Sequence, residues 1–306
     1  MNPVVEQITE LGTFQLAEGP HWDCKTQSLY FADIMGMSVH KYVPSTKKHT
    51  QLNFDKRPSF IIPVKGQADS FVISLNLEIV LITWDGVSAT PSSMKKIAVL
   101  DDVPEKSNNR INDGKADPLG NLWTGTMDID NNLSTYMPLN GTFSCISNKK
   151  VTEHLTGVII SNGLAWSKDM KKFFYIDSGF RRIDQFDFDP KTATISNRTP
   201  LFTFSKHGID GFPDGQTIDA EGNLWVAVFR GQRVLKIDSK NPETLLGSIQ
   251  IPDYQVTSAC FGGPNLDELY VTSAGFDGDT NESIKGGIYK VTGIGVSGLP
   301  GDEVKL

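Results

Sequence analysis

Short apolar or alternating runs, punctuated by polar clusters, recur along the whole chain. Residues 14–33 read FQLAEGPHWDCKTQSLYFAD: a polar stop at Glu18-Gly19-Pro20, a turn over 23–27, then a strand-like run over 28–32. Related stretches lie at 60–73 (FIIPVKGQADSFVI), 108–127, 161–179 (SNGLAWSKDMKKFFYIDSG), 212–229 (FPDGQTIDAEGNLWVAVF) and 256–275 (VTSACFGGPNLDELYVTSAG). Further short strands are predicted at 38–42, 77–84 and 287–291. Strands this short, with frequent turn signals, predict an all-β fold. Two copies share Asp-x-x-Gly-Asn-Leu-Trp, ending at Trp123 and Trp225. The residue in the strand after each turn is Tyr30, Val72, Trp123, Phe174, Trp225 and Tyr270, at intervals of roughly 42 to 51 residues, the period of propeller blades. Six copies in 306 residues leave roughly 51 per blade, enough for four short strands. The expectation is a six-bladed β-propeller with four-stranded blades. No helical periodicity and no composition break mark a second unit, so residues 1–306 are expected to form one domain.

In a propeller the innermost strand of each blade lines a central channel, so equivalent positions converge on its axis. Roughly 11 or 12 residues before each aligned position stand Glu18, Ile61, Asn112, Asn162, Asp214 and Ser258. Glu18, Asn112, Asn162 and Asp214 carry a carboxylate or a carboxamide, and each is followed by Gly or lies in a Gly-containing segment read as a tight turn. Any one of them is explained by turn chemistry. All four at one repeat phase point instead to a central metal-binding channel. Oxygen ligands of this kind suit a hard divalent cation, Ca²⁺, Mg²⁺ or Mn²⁺, ahead of Zn²⁺. Arg110, two residues before Asn112, projects to the same side of an extended segment and suits a carboxylate or polarised oxygen at the rim. Asp128 and Asp130 fall in an acidic loop placed where it could fold over the mouth, although an acidic loop is more often simply solvated.

Composition narrows the classes. A net charge of −7 argues against nucleic acid or an anionic membrane as partner and agrees with a cation site. The five histidines are scattered without zinc spacing, and His154 and His207 lie off the repeat phase. Three distant cysteines give no disulfide framework. The start MNPVVEQITELG lacks a signal-peptide pattern, no apolar run is long enough for a membrane span, and the ending Val-Lys-Leu is one residue away from a peroxisomal Ser-Lys-Leu. A cytoplasmic, monomeric protein is expected.

Several motifs together resemble the regucalcin (senescence marker protein) and gluconolactonase family: Glu18-Gly19-Pro20 with Trp22, Arg110-Ile111-Asn112-Asp113-Gly114-Lys115, Gly125-Thr126-Met127, Ser161-Asn162-Gly163-Leu164-Ala165-Trp166 and Pro213-Asp214-Gly215. The stretches NDGKADPLGNLWTGTM, PDGQTIDAEGNLWVAVF and FGGPNLDELYVTSAG are similar to its insect luciferin-recycling branch. The resemblance covers nearly the whole chain and implies a six-bladed propeller. It also implies one divalent metal held by Glu18, Asn162 and Asp214, and substrate contacts at Arg110 and Asn112. A third family contact, a Glu, corresponds to Asp130, whose shorter side chain makes room for a larger, flatter substrate. A small cyclic substrate, oxyluciferin or a sugar lactone, is implied. Asp214 is then the expected general base, with Arg110 and Asn112 steadying the oxyanion. A plain lactonase and a non-enzymatic calcium-binding protein are the alternative readings.

Overall fold

The computed structural model describes residues 2–131, 133, 135–275 and 286–306. Six four-stranded antiparallel sheets follow one another around a ring. Their innermost strands are Ala17–Asp23, Ile61–Pro63, Asn109–Ala116, Ser161–Trp166, Phe212–Ile218 and Gln255–Gly262, for blades 1 to 6 in chain order. Within blades 1 to 5 each strand pairs with the next in sequence. Blade 6 borrows its outermost strand from the N-terminus: Val4–Gln7 pairs with Ile288–Thr292. Chain start and chain end therefore close the ring together. The expected all-β, six-bladed, four-stranded architecture is what the chain forms. Helical structure among the described residues is confined to four 3₁₀ turns, and no helix is long and apolar enough to cross a membrane.

Burial falls from the axis outward. The second strand of blade 5, Leu224–Phe229, is buried along its whole length, whereas the outermost strand of blade 3, Lys150–Val158, is largely exposed or half-buried. All six aligned positions, Tyr30, Val72, Trp123, Phe174, Trp225 and Tyr270, lie in second strands and are buried. They wedge between neighbouring sheets. Trp123, for example, packs with Phe143 of its own blade against Trp166, Phe173 and Tyr175 of blade 4.

The shared Asp-x-x-Gly-Asn-Leu-Trp motif has a local cause. The Asp219 carboxylate accepts from the backbone N–H of Glu221 at 3.0 Å and of Asn223 at 2.8 Å, and from Trp225 Nε1 at 2.9 Å. Asp117 does the same for Leu119, Asn121 and Trp123, each at 2.9 Å. Gly120 and Gly222 supply the positive φ, +94° and +93°, that closes each turn. One carboxylate thus shapes the turn and satisfies a buried indole N–H. The chain's last residues run across this end of the propeller. Ala220 donates to Ser297 O at 2.9 Å, and Lys305 donates to Gly120 O at 2.8 Å.

Candidate metal centre and substrate cavity

Five of the six innermost strands break register with their neighbours at one place. The shifts fall between Glu18 and His21, Ile111 and Asp113, Asn162 and Leu164, Pro213 and Gln216, and Val256 and Ser258. A bulge bends its strand and re-aims the local side chains. Here the bulges coincide with Glu18, Asn112, Asn162 and Asp214. The Asn-Gly and Asp-Gly pairs, expected in tight turns, therefore lie inside strands. Their glycines answer a different need, the crowding of blades at the axis. A Cβ on Gly163 would stand 2.7 Å from Asp214 O, and one on Gly215 would collide with Ser258 of blade 6.

Glu18, Arg110, Asn112, Asn162 and Asp214 together line one cavity of about 220 Å³ at this mouth of the channel. Ile61 and Ser258, at the same phase, do not line it. The rest of the lining is mostly apolar, Leu16, Met127, Leu133, Ile160, Phe212 and Phe229, interrupted by Asn131, Ser178 and Arg230. Glu18, Arg110, Asn112, Asn162 and Asp214 are all buried. Asp130 is exposed and lies outside the lining; its carboxylate accepts from Asn108 Nδ2 at 3.0 Å. Asn131 and Leu133, the neighbours of the expected contact, reach the cavity instead. His154 packs under Trp123, and His207 stacks on Phe202 beside Glu243, both away from the site.

Hydrogen bonds fix which end of each carboxamide faces the cavity. Asn112 Nδ2 donates to Ser161 O at 2.9 Å and to Asn162 Oδ1 at 3.1 Å, so both amide hydrogens are engaged. Asn112 offers an acceptor, not an oxyanion donor, which corrects the expected role. Asn162 Nδ2 donates to Ser178 Oγ at 2.8 Å, and Ser178 donates onward to Pro213 O at 2.6 Å. Oδ1 of Asn162 keeps a second lone pair. Arg110 donates from Nη1 to Ile111 O at 3.0 Å, and its fork has further N–H groups for a ligand.

The acids repel one another. Burial raises the Glu18 carboxyl well above its usual range, and Asp113 adds to the effect; the Gly19 N–H and Arg110 oppose it. Asp214 is raised first by burial, then by Glu18 and Asp113, with Arg110 opposing. Burial pulls Arg110 down to about 10. Asp113 is the residue that sequence reasoning missed. Strict alternation would turn it away from Asn112, but the bulge keeps its charge near Glu18 and Asp214. Among the described residues no three His, Cys, Asp or Glu side chains group as a metal site. A cation held here would need carboxamide oxygen as well as carboxylates. Two mutually repelling buried carboxylates, a free carboxamide lone pair and no thiolate or imidazole fit a hard divalent cation.

A closed ring of six blades with an acid and carboxamide cluster at one mouth defines a propeller with a central oxygen-donor site. The family model described as SMP-30/Gluconolactonase/LRE-like region matches residues 16–275, and the chain belongs to that family. Regucalcin of Xenopus laevis is 38% identical over 294 residues, 94% of each chain. A solved luciferin-regenerating enzyme superposes with a TM-score of 0.96 at 56% identity over the full length of both chains. A calcium-binding protein, regucalcin, from Agrobacterium tumefaciens has a TM-score of 0.87 at 24% identity, covering 99% of this chain and 98% of its own, and shares the fold.

Proposed function

We propose that this protein is a divalent-cation-dependent enzyme that converts oxyluciferin to 2-cyano-6-hydroxybenzothiazole and thioglycolate. The observation that carries the reading is the cavity's division into a polar floor and an apolar wall. Leu16, Met127, Ile160, Phe212 and Phe229 suit the faces of a flat aromatic bicycle. These side chains offer no partners to the hydroxyls of a sugar lactone, which would find only Asn131, Ser178 and Arg230 beyond the floor, and unpaired polar groups against an apolar wall are penalised. The 56% identity to a luciferin-regenerating enzyme supports the same substrate.

The overall change adds one water. Hydroxyl joins the thiazolone carbonyl carbon and the bond from that carbon to the ring nitrogen breaks, leaving a carboxylic acid and a thioimidate. The thioimidate then loses its N–H proton and its C–S bond, giving the nitrile and the thiol of thioglycolate. Glu18, Asn162 and Asp214 would hold the cation, which when bound supplies Lewis-acid polarisation and acidifies water. Asp214, a cation ligand next to the bound water, suits the acceptor of the water proton. The free N–H groups of Arg110 face the developing oxyanion. Oδ1 of Asn112 accepts from the attacking water or from the thioimidate N–H.

The same floor would open a lactone ring, so gluconolactonase activity is the second reading. Rates on oxyluciferin and gluconolactone, measured side by side with each cation restored to metal-free protein, separate the two. Faster lactone turnover would overturn the first reading. Tight cation binding without turnover of either would favour a calcium-binding role.

A further inference from the structure

Lys115 stands three residues beyond Asn112 on the innermost strand of blade 3. Its ammonium donates to Leu164 O of blade 4 at 3.0 Å and to Gln216 O of blade 5 at 2.7 Å. Leu164 is two residues past Asn162, and Gln216 is two residues past Asp214. Both carbonyls sit where pairing resumes after the bulges that carry Asn162 and Asp214. One side chain therefore links three strands, which between them supply Arg110, Asn112, Asn162 and Asp214.

Lys115 is reached from the opposite direction. A second cavity of about 310 Å³ lies at the other mouth of the channel and is walled by Trp22, Trp166, Phe261 and Leu299, with Lys115 also lining it. It shares no lining residue with the first cavity. Lys115 thus lies behind the site, touching neither the cation position nor the substrate space.

We propose that Lys115 is a positioning residue, holding Asn112, Asn162 and Asp214 in the relative placement that cation binding and catalysis need. The inference rests on the cation-dependent reading above. Two carbonyl acceptors on separate strands fix the spacing of those strands, and site groups must be held to roughly 0.5 Å. A purely electrostatic role has the opposite sign. An ammonium this close to Glu18 and Asp113 repels a cation, so its charge alone would weaken binding, and its removal would tighten it. The hydrogen bonds predict that removal loosens binding, because two buried carbonyls lose their donor and the strands are released.

The test uses full-length, metal-free wild type, Lys115→Met and Lys115→Ala. Each is titrated with Ca²⁺ and Mn²⁺ by calorimetry, and thermal unfolding is followed in parallel. Propylammonium is added to Lys115→Ala, since the second cavity gives it access to the vacated position; propan-1-ol is the uncharged control. The expected result is one cation bound by wild type and affinity about tenfold weaker or more in both folded variants. In Lys115→Met, kcat falls more than KM changes. Propylammonium, but not propan-1-ol, restores affinity in Lys115→Ala. Equal or tighter cation binding by a folded variant overturns the inference. Wild type that binds no cation overturns the proposed function instead. Should Lys115→Met fail to fold, Lys115→Ala refolded with propylammonium gives the same readout, and affinity indifferent to propylammonium overturns the inference.

Discussion

The amide of Asn112 donates to Oδ1 of Asn162 at 3.1 Å, across the seam between blades 3 and 4. The bond points the Asn162 oxygen toward the site and leaves Asn112 itself with only an acceptor to offer. Replacement of Asn112 by Leu removes the donor from both Asn162 Oδ1 and Ser161 O. Cation affinity and kcat are each expected to fall about tenfold, on the scale of lost second-sphere support at metal sites. Calorimetry and steady-state kinetics on the purified variant check this.

Burial and Asp113 raise the affinity of both Glu18 and Asp214 for protons, and Glu18 raises that of Asp214 further. Without a cation this repulsion destabilises the fold. Asp214→Asn should therefore raise the melting temperature of metal-free protein, by about 2–4 °C per kcal/mol relieved. The same change should abolish both the stabilisation that added cation gives wild type and the turnover of substrate. Thermal unfolding with and without Ca²⁺ reads both effects; full activity in this variant would refute the assignment.

Phe229 and Phe212 form part of the apolar wall. Phe229→Ser shrinks and wets that wall. kcat/KM for oxyluciferin should drop by about 10- to 200-fold, the scale of a lost hydrophobic contact in a pocket. Any rate on gluconolactone should change much less. Parallel assays of the two substrates decide it.

His21 is buried, and burial depresses its imidazole to about 4, with Asp23 opposing. The unfolded chain takes up a proton near pH 6.5, whereas the folded chain resists doing so until about 4. This contribution to stability is whole above pH 6.5 and is lost as pH falls through that window. His21→Gln should lose less stability than wild type between pH 6.5 and 4.5, by about 2 kcal/mol. Urea unfolding at several pH values measures the difference.

Much of the architecture was legible because each blade repeats one turn. The Asp219 carboxylate that shapes its turn and binds Trp225 is a local arrangement, complete within seven residues, so it shows in sequence as a motif. The inward phase of Glu18, Asn112, Asn162 and Asp214 was legible for the same reason. The closing strand Val4–Gln7 was not, because its partner lies at the far end of the chain. The bulges were also hidden, since register depends on the neighbouring strand. That is why Asn162-Gly163 and Asp214-Gly215 read as turns and why Asp113 went unnoticed. The roles of Asn112 and Lys115 depend on carbonyls of other blades, which no linear pattern displays. The apolar wall is gathered from four blades and has no signature of its own.

The most direct measurement is product analysis on metal-free protein to which a single cation is restored. Incubated with oxyluciferin, the reconstituted protein should release 2-cyano-6-hydroxybenzothiazole and thioglycolate in equal amounts, and the metal-free protein and Asp214→Ala should release neither. Equal release with and without the cation, or none from the reconstituted protein, would contradict the account.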